Sequence, residues 1–512
     1  MTKHPRGQPF GIVRWSLAAF IVANQVVFLF YGPPSLEIAG SSLVLMLAIL
    51  FQLRYGIRPD APTPADIVAF IFNWLFLDLA PMIQLMSVPR TLVNTSSVAP
   101  DLVLITNLEC ALSIFTFTII YAMLSRRAAS STTRAPKHAL SPAPAPVRAP
   151  APVRAPAPVH VPAPTAAQVG PGASVIPFFG VLITVSVCVL LVGALGHTLY
   201  VDTETVGLTP SELIIRKFLL FMPSATLFIV LHETIGGGRR VVFSRVCVLM
   251  LLFLLVLVTE NPLTEKRNGL GPIYLGLLFI AFEPMLRSLN RRLLLLIVSM
   301  VLIFPAITVI THNHNQIYSG IKMSTVLDTL KDHYFSTHYD AWANIYTSIE
   351  MVRRDGVLWG HQLLGSLFFF VPSSLWHGKP LASGIAIANY LTRNYSMWFT
   401  NLSAPLIAEG QLDFGTAGVV AYGVVLAFIV NLMNKVRLEQ RRWSLFAFAT
   451  FSALFLMFAL RGSLMIAFAY GTGSLMAFVL ASALLSLGAR PIGQRFYVME
   501  PGRRLEMHRA AR

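Results

Sequence analysis

Apolar residues fall along the chain in runs close to the ~20 residues that a helix needs to cross the hydrocarbon core of a bilayer, separated by short basic turns. Hydropathy predicts twelve spans, over 11–31, 36–53, 66–86, 102–124, 175–196, 213–231, 241–258, 270–286, 293–310, 416–434, 444–460 and 465–487. Two stretches break the pattern. One is a Pro/Ala-rich segment after the fourth span; the other is a block from Thr311 to Gly415 where Tyr, Trp, His, Asn, Ser and charged residues crowd together. The expected fold is all-α: a polytopic integral membrane protein of about twelve transmembrane helices with one large outer-face loop. Its parts are residues 1–124 (four helices), 125–173 (linker), 174–310 (five helices), 311–415 (the loop), 416–488 (three helices) and 489–512 (basic tail).

Composition agrees, with 55% hydrophobic and 12% charged residues in 512 and a mean hydropathy of +0.66. An even number of spans puts both termini on one face. Assigning that face to the cytoplasm keeps 27 of the 39 Lys and Arg inside, as the retention of basic loops requires. The same bias accounts for the net charge of +16 without any nucleic-acid partner. Lys3, Arg6 and Arg14 precede the first apolar run and no small-residue cleavage site follows before Tyr31, so this span reads as an uncleaved signal anchor. Cys110, Cys188 and Cys247 each lie inside an apolar run and read as small core residues.

In the linker the hexad P-A-P-V-R-A repeats from Pro144 and sets Arg148, Arg154 and His160 six residues apart, two turns of polyproline II. A stiff spacer reaching ~65 Å over its repeats is expected, with anionic headgroups or a cytoplasmic partner as the other use. Asp78, Glu109, Arg216 and Lys217 fall inside spans. Charges there are expected to pair with one another or to line a groove. Gly236-Gly237-Gly238 before Arg239-Arg240 lacks a preceding strand and reads as a turn, and His312 and His314 read as surface polarity.

On the face opposite the termini, the block joins the turn Asn261–Arg267 and the pair Arg461-Gly462. Cations converging there with aromatic residues suit an anionic, sugar-bearing lipid, because guanidinium grips diphosphate oxygens and aromatic faces stack on sugar rings. The order of strings resembles the O-antigen (Wzy-type) oligosaccharide repeat-unit polymerases. These are N-P-L-T-E-K-R at 261–267, H-Y-D-A-W-A-N-I-Y at 338–346, G-H-Q-L-L-G-S-L-F-F-F-V-P-S-S-L-W-H-G-K-P at 360–380, N-L-S-A-P-L-I-A-E-G-Q-L-D-F-G-T-A-G at 401–418 and R-G-S at 461–463. The resemblance covers residues 255–465. Ser373 stands where it leads one to expect arginine, and no arginine follows Phe304-Pro305. Arg354 and Gly365 keep an eleven-residue arginine-to-glycine spacing discussed for such polymerases.

The resemblance implies a membrane glycosyltransferase that moves a growing glycan from undecaprenyl diphosphate onto a hydroxyl of another lipid-linked repeat unit. The implied partners are undecaprenyl-diphosphate-linked oligosaccharides, membrane lipid and a chain-length regulator. A glycan ligase using the same donor and a lipid-linked oligosaccharide flippase are the alternatives, although polarity gathers outside the spans rather than at their midplane. The chemistry needs fixed cations for the leaving diphosphate and a base for the acceptor hydroxyl. No D-x-D-like exported motif is present, so cations rather than a metal are expected, and no cofactor is called for. Arg461 leads as the catalytic cation, with Asp340, Glu409 and His361 as acid–base candidates. Arg267, Arg353, Arg354, Trp376, His377, Lys379 and Asn401 are the candidate substrate-binding residues. Asp340 follows Thr337 by three, a capping-box spacing before a helix expected over 338–354.

Overall fold

A computed structural model describes residues 11–32, 35–87, 92–94, 98–133, 176–200, 215–236, 242–262, 267–303, 305, 334–400, 402–438 and 443–488. The N-terminal ten residues, the linker repeat with Arg148, Arg154 and His160, the triad turn from Gly237, His312, His314, Asn401 and the basic tail lie outside these residues, as does the side chain of Arg267.

The fold is all-helical. The first helices are α1 (Ile12–Tyr31), α2 (Leu36–Tyr55), α3 (Ala65–Leu85), α4 (Pro100–Thr133), α5 (Phe178–Leu195) and α6 (Met222–Gly236). Then follow α7 (Phe243–Thr259), α8 (Arg267–Ala281), α9 (Leu289–Val298), α10 (Ala341–Asp355), α11 (His361–Leu367) and α12 (Ser383–Tyr395). The last are α13 (Leu406–Phe414), α14 (Thr416–Leu438), α15 (Trp443–Arg461) and α16 (Leu464–Leu485).

Among the described residues nine helices, α1 to α6 and α14 to α16, are long and apolar enough to cross a membrane. Twelve were expected. The seventh and eighth expected spans form shorter helices, 17 and 15 residues. The ninth forms the ten-residue α9 and a π turn, Ser299–Ile303, that carries the chain only partway along the expected run. A second π turn, Asn73–Leu79, interrupts α3, and a third, Ile215–Leu219, precedes α6. Helix α3 is the innermost, with 94% of its apolar window buried against 28% for α1, α5 and α16. Large apolar side chains such as Phe30, Leu190 and Val479 stay exposed on those outer helices, where the solvent is lipid.

The helices pack as two groups. One core joins α1 to α4 with α9, α10, α12, α13 and α14; the other joins α5 to α8 with α16, around Phe221, Phe228, Phe451 and Phe478. Helix α15 belongs to both, through Phe446, Ala447 and Phe451 near its start and Ala453, Leu454, Leu456 and Leu460 near its end. It therefore runs across the seam and delivers Arg461 to the side where α10 lies.

The polar block corrects a further expectation. Its described part, from residue 334, is not a loop set apart from the spans but α10 to α13, packed into the first core. Trp342 is among the largest fully buried side chains, and the run Ala341–Ile349 is buried throughout. Trp342 Nε1 donates to Asn107 Oδ1 (3.0 Å) on α4, whose amide donates to Ser41 Oγ (3.0 Å) on α2. Gln84 at the end of α3 donates to the carbonyls of Tyr334 (3.0 Å) and Tyr339 (3.2 Å).

The in-span charges do not pair with one another as expected. Neither Asp78 carboxylate oxygen has a hydrogen-bond partner, and Glu109 accepts from the Thr416 hydroxyl. Arg216 donates to the Thr198 carbonyl and Lys217 lies 5.1 Å over the Tyr470 ring. Cys110 and Cys188 are buried, whereas Cys247 is exposed on α7 rather than a core residue.

Candidate functional site

The Arg461-Gly462-Ser463 corner between α15 and α16 is gripped by three separate parts of the polar block. Arg461 Nη2 donates to Thr337 O (2.7 Å) and to Asp340 Oδ1 (3.2 Å). Ser463 Oγ accepts from the Gly384 amide (2.9 Å) at the start of α12. The Leu464 amide, an unpaired donor of the first turn of α16, is taken by Glu409 Oε1 (2.7 Å) on α13.

Asp340 is buried, and its second oxygen accepts from the Ser403 amide (3.0 Å) while Oδ1 also accepts the Ser403 hydroxyl (2.7 Å). The capping box with Thr337 does not form. Asp340 stands at the N-cap of α10 but its side chain turns to Ser403 and Arg461 instead, and Ser336 caps the preceding short turn Thr337–Tyr339. Ser403 is itself held by Asn344 Nδ2, which donates to its carbonyl (2.9 Å) and hydroxyl (3.2 Å), and Asn94 donates to Asn344 Oδ1 (2.8 Å). The acid that meets Arg461 is thus fixed by a chain of hydrogen bonds. Arg461 keeps an exposed fraction of 16% and its Nε has no partner.

Glu409 is fully buried, and its other oxygen accepts from Ser383 Oγ (2.6 Å). Burial pushes its carboxyl up to about 7 against the stabilising hydrogen bonds from Ser383 and Leu464. One turn further along α13, Asp413 accepts from the amides of Gln362 (2.9 Å) and Leu363 (3.0 Å), capping α11, and from Tyr422 (3.0 Å). Burial raises Asp413 as well. Sequence reasoning did not nominate Asp413, although two carboxylates four apart on one helical face would have marked it. Ser383 and Ser403 were missed too.

His361 opens α11 after Trp359 (φ 53) and Gly360 (φ 82), two consecutive left-handed residues that fold the chain back. A side chain at Gly360 would meet the Phe414 ring, and the left-handed Trp359 is held by that fold at a cost of about 1–3 kcal/mol. His361 is exposed, its Nε2 lies 3.0 Å from Gly378 O, and its ring stands edge-on to Trp376 at 6.2 Å. His377 is exposed beside it.

The remaining nominated cations are engaged elsewhere. Lys379 Nζ donates to the carbonyls of Phe369 (2.6 Å) and Val371 (2.9 Å). Arg353 pairs with Asp101 (2.7 Å) at the surface. Arg354 donates to Asn394 Oδ1 (2.7 Å) and lies 5.6 Å over the Tyr390 ring. Gly365, eleven residues after Arg354, is a packing position where a side chain would meet Pro380 and Met465.

No known protein family, curated protein or solved structure matches the chain. The functional reading therefore rests on the residues alone.

A cavity of about 200 Å³ lies at the other end of the bundle, lined by Asp60, Pro62, Phe279, Glu283, Arg287 and Arg292. There Arg292 donates to the carbonyls of Ala61 (2.6 Å) and Pro59 (3.0 Å), and Asn434 ties Thr63 (2.8 Å) to Tyr121 (2.8 Å). Those contacts satisfy loop carbonyls, so the chemistry is sought at the Arg461 corner.

Proposed function

We propose that this protein is a membrane glycosyltransferase that polymerises undecaprenyl-diphosphate-linked oligosaccharide repeat units at the outer face of the bacterial cytoplasmic membrane, both termini being cytoplasmic. The observation that carries this reading is the Arg461 corner. A guanidinium at the end of a membrane-crossing helix, half held by a buried carboxylate and a carbonyl, keeps an unpartnered Nε for an anion at membrane level.

In the proposed reaction an acceptor hydroxyl oxygen attacks the anomeric carbon of the donor glycan. The bond from that carbon to the diphosphate oxygen breaks, the diphosphate leaves with the electron pair, and the hydroxyl proton passes to a base. Arg461 stabilises the charge that develops on the diphosphate. The burial of Asp340 and Glu409 suits them to holding the corner in register rather than to meeting substrate. Exposed His361 is the better base: with Nε2 donating to Gly378 O, its Nδ1 lone pair is left to accept a proton. Trp376 and His377 lie beside it and offer ring faces to a sugar.

Replacing Arg461 by Ala is expected to lower polymer formation by about 100-fold or more while the protein stays folded, with Lys restoring part of it. Polymer of normal length and rate from a folded Arg461→Ala variant would remove Arg461 from the mechanism.

A further inference from the structure

Beside the first turn of α16 the chain makes a closed apolar loop, residues 361–380. Its neck is clasped twice: His361 Nε2 lies 3.0 Å from Gly378 O, and Lys379 Nζ donates to the carbonyls of Phe369 (2.6 Å) and Val371 (2.9 Å). Within it the Val371 amide donates to Phe368 O (3.0 Å), and the Leu375 and Trp376 amides to Pro372 O (3.0 and 3.2 Å). The turn thus satisfies much of its backbone internally, which is the condition for irregular chain to leave water.

Outside the clasp the side chains point away from the protein. Leu364, Leu367 and Phe368 are nearly half exposed, Phe370 is 66% and Leu375 78% exposed. Five large apolar side chains on one short loop form a patch that water disfavours.

We propose that this loop is immersed in the lipid leaflet on the Arg461 side, at the boundary between headgroups and acyl chains. Lipid is the occupant because the patch continues the bilayer-facing surface. Helix α11 packs on the start of α16 through Gly365 and Met465, and further along α16 Phe468, Leu475, Met476 and Val479 are exposed as lipid-facing residues. The polar residues of the loop suit that depth. Trp376, His361, His377 and Lys379 gather at the neck, where amphipathic rings and cations meet headgroups, and the exposed Ser373 and Ser374 can reach headgroup oxygens. The loop would then fix the height of the polar block above the membrane, whatever reaction the block performs.

The test uses the full chain in bilayers of phosphatidylethanolamine and phosphatidylglycerol. Nitroxide labels are placed at Phe370→Cys, Leu375→Cys and the exposed control Arg393→Cys, each with Cys247→Ala. Collisional access to oxygen and to a water-soluble nickel chelate is then compared. Labels at 370 and 375 should favour oxygen over the chelate several-fold more than the label at 393. Preference for the chelate at 370 and 375, or exclusion of both reagents by covering protein, would overturn the proposal. A Phe370→Trp variant gives a second reading that needs no label. Lipids brominated in the upper acyl chain should quench more of its emission than of the unaltered protein, and an unchanged quenched fraction would equally count against immersion.

Discussion

Glu409 shows how much a single buried carboxyl can report. It is held by one hydroxyl and one amide, Ser383 and Leu464, and burial lifts it from an ordinary 4.5 to about 7. Between those values the folded chain keeps a proton that the unfolded chain has released. The folded state therefore binds more protons, and stability falls as pH rises from roughly 4.5 to roughly 7. Thermal unfolding in detergent should show that decline in the unaltered protein, with a shallower one in Glu409→Gln, whose amide can still accept from Leu464. Identical pH slopes would show that Glu409 does not titrate in that window. Arg461, Asp340 and Glu409 were legible in the sequence because charged residues stand out against apolar surroundings. Asp413, Ser383 and Ser403 were not, because their importance lies in partners far along the chain, such as Gln362 for Asp413 and Asp340 for Ser403. Lys379 shows the opposite failure: its charge is spent on two carbonyls of its own loop.

At the scale of elements, the hairpin of α13 and α14 decides where Glu409 sits. Gly415 turns the corner at φ 63, and Gly410 and Gly418 face each other so closely that a side chain on either would strike the other's backbone. Gly418→Ala should therefore destabilise the protein by about 1–3 kcal/mol, as overpacking does. Gly193→Ala on α5, where no atom lies within 4 Å of the added carbon, should be neutral or stabilising by up to ~1 kcal/mol. Denaturation in a membrane mimic checks both, and equal effects at the two positions would contradict the packing argument. The short glycine spacings were visible in the sequence, but which of them marked a contact was not. Hydropathy located the long helices well for the same reason that it misjudged others. It measures grease, whereas the π turn at Ser299–Ile303 and the proline inside α8 shape the backbone by local geometry.

At the scale of the whole molecule, the polar block is one wall of a bundle rather than an appendage. Its amphipathic helix α10 buries Trp342 and Tyr339 in the same core as α3, with Tyr339 stacked on Phe76 at 5.2 Å. The sequence pattern marked the block as different in composition; that it folds into the core follows from the small and aromatic residues spaced along α10, a helical period that polarity obscured. Helix α15, shared by both packed groups, ends at Arg461 and brings the seam to the corner where α12, α13 and α16 meet. The central claim is that this corner transfers glycans between lipid carriers. The most direct measurement supplies the purified full-length protein, in a membrane mimic, with the lipid-diphosphate-linked repeat unit of its own cell and separates the products by size. A ladder of lipid-linked glycans extended by whole repeat units is the predicted result, and movement of the lipid-linked sugar across vesicles with no new glycosidic bond would contradict it.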